Sequence, residues 1–259
     1  MDTEYDNTPS FYKEEEFFEN YLGRTSYYLG LQRVLKKIIM LTEPRQVLEL
    51  GSALGTTAIS LANEFPKINF TGIDLRESVV QQANSKAKEL QNVNFKCGDM
   101  TEVVKENLDE YDLIFMLYSF HHILDPLENK MKFLENCYSN MRKGARLLIE
   151  ETFLPDGVSA TKRNEMILQL WKQRGLEGYA STFWAALDLL TQEGLEETHR
   201  IAKVSQTEEI KAGDLVYVRD GECLIESKWL VGAAKKAGFK VLLAEPVNCV
   251  EEKAVLLER

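Results

Sequence analysis

Apolar residues along this chain gather into short unbroken runs, separated by stretches in which they recur at helical spacing. Val47-Leu-Glu-Leu50 is the first run, followed by an apolar helix near 56–65. Asn69-Phe-Thr-Gly-Ile-Asp74 is a second strand, with a helix near 77–91 behind it. A third begins at Asn94 and leads through Cys97-Gly98 to Asp99. The fourth, Tyr111 to Leu117, is almost wholly apolar, as a parallel strand buried on both faces should be. A helix near 127–142 ends at Arg142-Lys-Gly144, where basic residues suit the negative helix end and glycine can close it. Ala145 to Ile149 forms a fifth strand leading to Glu150-Glu151. Strands alternating with helices in this way predict an α/β fold with a parallel sheet.

The flanks follow a different pattern. Residues 1–44 read as helical, with apolar positions at Leu31, Val34, Leu35, Ile38 and Ile39 and Pro44 closing the segment. Residues 154–226 hold two helical stretches, about 160–174 and 182–193, and a hairpin over 215–225 turned by Asp220-Gly221. Ser227 caps a helix carrying Trp229, Leu230, Ala233, Ala234 and Ala237, with Gly238 past its end. Two last strands, Phe239 to Val247 and Lys253 to Leu257, are joined too closely for a parallel crossover, so they must be antiparallel.

The chemistry gathers where strands end. Gly51 and Gly55 lie between the first strand and its helix, where the chain must turn sharply and a ligand can approach the backbone. Asp74 ends the second strand about twenty residues on, the place of an acid that grips a ribose. The unit reads as a β–α–β cradle for an adenosine-containing cofactor. Its spacing, Glu49-x-Gly51-x-x-x-Gly55 with Ala53 at the middle position, departs from the G-x-G-x-x-G of dinucleotide folds. The antiparallel terminal pair also fits such a fold poorly. Asp99 could accept a hydrogen bond from an adenine amino group.

This series resembles the class I S-adenosylmethionine-dependent methyltransferases, over residues 45–153 and again over 226–259. The resemblance implies a doubly wound, mostly parallel seven-stranded sheet with an antiparallel last strand. It implies S-adenosylmethionine as cofactor, with Glu49, Gly51, Ser52 and Gly55 in the glycine-rich first motif. Asp74 and Leu75 would sit at the ribose, and Gly98, Asp99 and Met100 at the adenine. Tyr118 would lie at the tip of strand four, where methyl donor meets acceptor. Ala53 departs from the commoner glycine. An N-terminal helical lid (1–44) and an inserted cap (154–226) would enclose the acceptor over a core of 45–153 completed by 227–259. Tyr21 of the lid and Trp171, Tyr179, Phe183 and Trp184 of the cap are the expected acceptor contacts.

A sulfonium already activates its methyl group, so such a protein mainly aligns a nucleophile and excludes water. A hydroxyl or ammonium acceptor also needs a base. His121 and His122 follow strand four, and an imidazole with a reference pKa of about 6.5 suits the task. His122 is the preferred base of the two, and Glu151 could orient a histidine or share the proton. The paired histidines and acid resemble those of natural-product and sugar O-methyltransferases in the family. No carboxylate cluster suggests a metal.

Composition narrows the acceptor. The 259 residues carry a net charge of −10, with 41 acidic against 31 basic residues, which disfavours a nucleic-acid substrate. No apolar run reaches the roughly 20 residues that span a bilayer. The first residues lack the basic and apolar runs of a secretion signal. The four cysteines are dispersed, with no C-x-x-C pair. The expectation is a cytoplasmic enzyme that methylates oxygen or nitrogen of a small or medium organic molecule, a secondary metabolite or a modified peptide. The alternative is a protein of the same fold that binds the cofactor without transferring methyl.

Overall fold

A computed structural model describes residues 26–106, 108–123, 127–153, 225–246 and 252–259. The chain divides into two compact units: residues 31–153 with 224–259, and residues 1–30 with 154–223. Apart from the start of the first helix, the described residues belong to the former. The cap helices, residues 215–224 of the expected hairpin and the lid before Ser26 lie outside them.

Helix α1 (Ser26–Thr42) leads into strand β1 (Gln46–Leu50). Then follow α2 (Thr56–Glu64), β2 (Asn69–Asp74), α3 (Glu77–Lys86), β3 (Val93–Cys97) and the single turn α4 (Met100–Val103). Strand β4 (Leu113–Leu117), a 3-10 turn (Phe120–His122), α5 (Leu127–Asn140) and β5 (Arg146–Thr152) complete the central part. Helix α6 (Ser227–Ala237), β6 (Lys240–Pro246) and β7 (Glu252–Glu258) close the unit. The sheet has seven strands in the order β3-β2-β1-β4-β5-β7-β6. Strands β1 to β5 pair in parallel, and β7 runs antiparallel to both β5 and β6. This is the doubly wound sheet with a reversed last strand that the sequence predicts.

Alternation along each strand divides the core. Leu48, Leu50, Ile114, Met116, Leu147 and Ile149 face Phe133, Leu134 and Cys137 of α5 and Leu230, Ala233 and Ala234 of α6. Val47, Phe115 and Leu148 face the other way, toward Leu35, Ile38 and Ile39 of α1 and Ala58, Leu61 and Ala62 of α2. Every residue of β4 is buried, because helices cover both its faces.

At three of the boundaries that differ from expectation the cause is visible. Helix α3 stops at Lys86 rather than 91; there the Asn92 side chain donates to Ala62 O (3.0 Å) and Ile68 O (2.9 Å), drawing the chain into β3. Helix α5 stops at Asn140 rather than 142, because Met141 forms an isolated parallel bridge with Leu108. Strand β5 runs on to Thr152, since antiparallel pairing with β7 extends the ladder to Thr152↔Glu252. Glu150 and Glu151 are therefore strand residues pointing to opposite faces, not loop residues beyond the sheet.

Candidate active site at the strand tips

The turn after β1 is shaped by backbone. Gly51 has φ +81°, and the N–H groups of Gly51 and Ser52 both donate to Ile73 O at 2.8 Å, locking the turn to β2. A Cβ on Gly51 would lie 2.4 Å from Ser119 Cβ, and one on Gly55 (φ +75°) would lie 2.4 Å from the Phe95 ring. Only glycine fits either place. Ala53, the departure from the family pattern, is left-handed at φ +45°. Its N–H donates to Asp74 Oδ2 at 2.8 Å, and this bond holds the strained residue. Asp74 Oδ1 accepts from Arg76 N at 3.1 Å, with Arg76 Nε 3.5 Å away.

Glu49 is buried at the end of β1, and burial pushes its carboxyl well above the usual carboxylate range. A hydrogen bond from the Ala58 backbone works against that rise, and the charge of Asp74 adds to it. Glu49 Oε2 and Ser52 Oγ are buried with no hydrogen-bond partner. Asp99 caps α4: its Oδ1 accepts from Thr101 N and Thr101 Oγ1, each at 2.7 Å. Gly98 N donates to Asp74 O at 3.0 Å, which brings the ends of β2 and β3 together. Met100 is half-buried and Leu75 is exposed.

The tip of β4 is held by side chains instead. Tyr118 takes φ +50°, with its N–H donating to Glu150 O at 2.9 Å. Ser119 Oγ donates to Leu50 O at 2.6 Å, tying this loop to the end of β1. In the 3-10 turn, Glu151 Oε2 accepts from the His121 backbone N–H (3.1 Å) and lies 2.8 Å from His121 Nδ1. Both residues are buried; His122 is exposed, with its ring centroid 4.2 Å from that of His121. The carboxylate that sequence reasoning offered to either histidine is thus bonded to His121.

Three residues escaped the sequence reading. Ser119 joins the two strand tips. Lys130, fully buried on α5, donates to Phe120 O (2.8 Å) and to Ile123 O. Its signal was present: Lys130, Phe133, Leu134 and Cys137 form one helical stripe, with a cation at a core position. Glu150 is fully buried, neither of its oxygens has a partner, and burial alone pushes its carboxyl up to about 8.

Tyr21, Trp171, Tyr179, Phe183 and Trp184 lie outside the described residues. Among the described residues, no cluster of three or more His, Cys, Asp or Glu could hold a metal, and no helix is long and apolar enough to cross a membrane.

A strand–glycine-turn–helix unit with an acid ending β2, in a sheet whose last strand is reversed, defines a nucleoside-binding α/β protein of methyltransferase type. A family model described as a methyltransferase domain matches residues 41–202, and the chain belongs to that family, within the class I S-adenosylmethionine-dependent methyltransferases. Among curated proteins it is similar to carboxy-S-adenosyl-L-methionine synthase of Helicobacter pylori strain J99. That likeness is 23% identity over 166 residues, covering 63% of this chain and 65% of the relative. Among solved structures it resembles an O-methyltransferase family protein from Burkholderia thailandensis (TM-score 0.57, 11% identity, 96% of this chain and 61% of the other). It also resembles human N-acetylserotonin methyltransferase in complex with SAM (TM-score 0.52, 16% identity, 98% and 63%). The chain thus spans less than two thirds of the length of each of these three proteins. The two structural likenesses establish the fold.

Proposed function

We propose that this chain transfers a methyl group from S-adenosylmethionine to an oxygen or nitrogen of a small or medium organic acceptor. The observation that carries this reading is the buried His121–Glu151 pair at the tip of β4 (2.8 Å), linked through Ser119 to the glycine turn.

The donor set fits the cofactor. Glu49 Oε2 and Ser52 Oγ are buried atoms on the glycine turn that lack partners within the protein, and a ligand's N–H and O–H groups would supply them. The Asp74 carboxylate keeps acceptor capacity for ribose hydroxyls beyond its two backbone bonds. Asp99 Oδ2 remains for an adenine amino group, since Oδ1 serves as the cap, with Met100 beside the ring. Gly51, Gly55, Leu75, Gly98 and Tyr118 complete the set. The bound cofactor supplies an activated methyl group.

Glu151 accepting from Nδ1–H selects the tautomer of His121 whose Nε2 carries a lone pair, the form a general base requires. That favours His121 over His122 as base. Glu151 orients the ring and stabilises the imidazolium once the acceptor's proton has moved. The aromatic residues Tyr21, Trp171, Tyr179, Phe183 and Trp184 of the lid and cap would line the acceptor pocket. The O-methyltransferase family protein among the structural relatives supports an oxygen acceptor, and the net charge of −10 argues against nucleic acid. Dispersed cysteines fit the cytoplasm.

Calorimetric titration of the purified chain with S-adenosylmethionine and S-adenosylhomocysteine, with NAD as control, tests the cofactor. Binding of the first two and not of NAD is expected. Binding of NAD alone would overturn the proposal. Once an acceptor is found, His121→Ala should abolish turnover while His122→Ala leaves most of it; the reverse result would exchange their roles.

A further inference from the structure

We propose that Lys130 is a positioning residue for the base: from the N-terminal end of the buried stripe of α5, it sets the 3-10 turn so that His121 meets Glu151. The inference rests on the reading of His121 and Glu151 given above.

A lysine at a fully buried position loses the hydration of its ammonium and must recover it from hydrogen bonds. Lys130 directs Nζ to the carbonyls of Phe120 and Ile123, which bracket His121 and His122 on either side. The same ammonium lies 4.9 Å from the centre of the Phe120 ring, and that ring packs edge-on against Phe133 one turn further along α5. A 3-10 turn of three residues has little backbone bonding of its own. Phe120 O accepts one backbone bond, from the Ile123 N–H at 3.2 Å, and Lys130 adds a second donor there and one at Ile123 O.

The turn is therefore gripped from two sides. Glu151 holds the His121 N–H and Nδ1 from the sheet, and Lys130 holds the flanking carbonyls from α5. Lys130 reaches neither histidine ring through these bonds; its effect passes through the backbone. A methionine fills nearly the same volume but takes the ammonium away from both carbonyls, leaving Phe120 O only the 3.2 Å bond from the Ile123 N–H, so Lys130→Met tests the grip with little change in packing.

The chain contains three histidines, so nitrogen-15 NMR of the full chain can assign each ring from His→Ala variants. In the wild type, at a pH where the ring is neutral, His121 should show the Nδ1–H tautomer. In Lys130→Met that signal should give way to a mixture with the Nε2–H form, with S-adenosylmethionine binding unchanged in calorimetry. Lys130→Gln, a milder change that keeps donors on a stem one atom shorter, should give an intermediate mixture. It carries the test if the methionine variant does not fold. A wild-type tautomer ratio in either folded variant would overturn the role of Lys130 and leave the histidine–glutamate pair standing. An Nε2–H tautomer in the wild type would overturn the pair, and this inference with it.

Discussion

The two ends of the candidate site are built on opposite principles. At the tips of β1, β2 and β3 the shape belongs to the backbone: Gly51 and Gly55 at positive φ, Ala53 pinned by Asp74, and two N–H groups converging on Ile73 O. At the tips of β4 and β5 the shape belongs to buried side chains arriving from elsewhere: Ser119 reaching Leu50, Glu151 reaching His121, and Lys130 reaching across from α5. A backbone cradle suits a ligand whose shape never changes. An end built from side chains can be re-specified by single substitutions, as an acceptor site must be.

The sharpest way to break that contrast is at Gly51. Valine there would drive a Cβ to within 2.4 Å of Ser119 Cβ, at a φ of +81° that β-branched residues avoid. Overpacking and backbone strain together should cost on the order of 4 kcal/mol. Urea unfolding should read the loss, and S-adenosylmethionine binding should vanish. In a Ser119→Gly background the penalty should shrink, leaving the strain alone. A full penalty in the double variant would mean that the clash with Ser119 does not matter.

Glu150 gives the next largest effect, and it concerns the side-chain end. Burial raises its carboxyl to about 8 in the folded protein, against an ordinary value of 4.5. The folded state therefore holds the extra proton between these values, and stability falls as pH climbs through that window. Below it the acid should be the more stable, by the roughly 2 kcal/mol that the amide's own unpaired groups cost. Above it Glu150→Gln should be the more stable, by on the order of 2–3 kcal/mol once the amide's own unpaired groups are allowed for. Thermal melts of both proteins across the range would show the curves crossing as pH rises. Parallel curves would mean that Glu150 finds a partner in solution.

At the backbone end, Asp74→Ala removes acceptors for Ala53 N and Arg76 N as well as for a ribose. The affinity for S-adenosylmethionine should fall by about 10–100-fold, the equivalent of one or two charged hydrogen bonds. Unchanged affinity would remove Asp74 from the cofactor contacts.

The same contrast explains what could be read from the sequence. Glycines and strand-ending acids are marked by residue type and spacing, so the tight turn at Gly51 and Gly55 and the place of Asp74 at the end of β2 were legible. Serine, lysine and glutamate carry no such mark. Lys130 could be read only by noticing that it shares a face with Phe133, Leu134 and Cys137. Glu151 was singled out as the acid beside a histidine, but nothing marked Glu150 as buried while β5 was taken to end at Ile149. The ladder to β7 carries the strand through both, and alternation then sends one to the histidine and the other to an unpaired position. Which histidine meets the acid depends on the path of a three-residue turn, and no spacing rule records it.

Ser119 is the hinge between the two ends, and its substitution should have the smallest effect. Ser119→Ala keeps the Cβ that packs on Gly51 and removes the 2.6 Å bond to Leu50 O. The loss should be about 1 kcal/mol in unfolding, the net worth of one buried hydrogen bond. Where that loss is felt distinguishes the ends. The glycine turn keeps both bonds to Ile73 O without Ser119, so S-adenosylmethionine affinity should stay constant. The loop after β4 loses its only described side-chain bond to β1, so the His121 ring signal should shift. If affinity fell in step with stability, the cradle would depend on the loop beside it. Backbone geometry at β1 would then be a consequence of the side-chain contacts at β4, not independent of them.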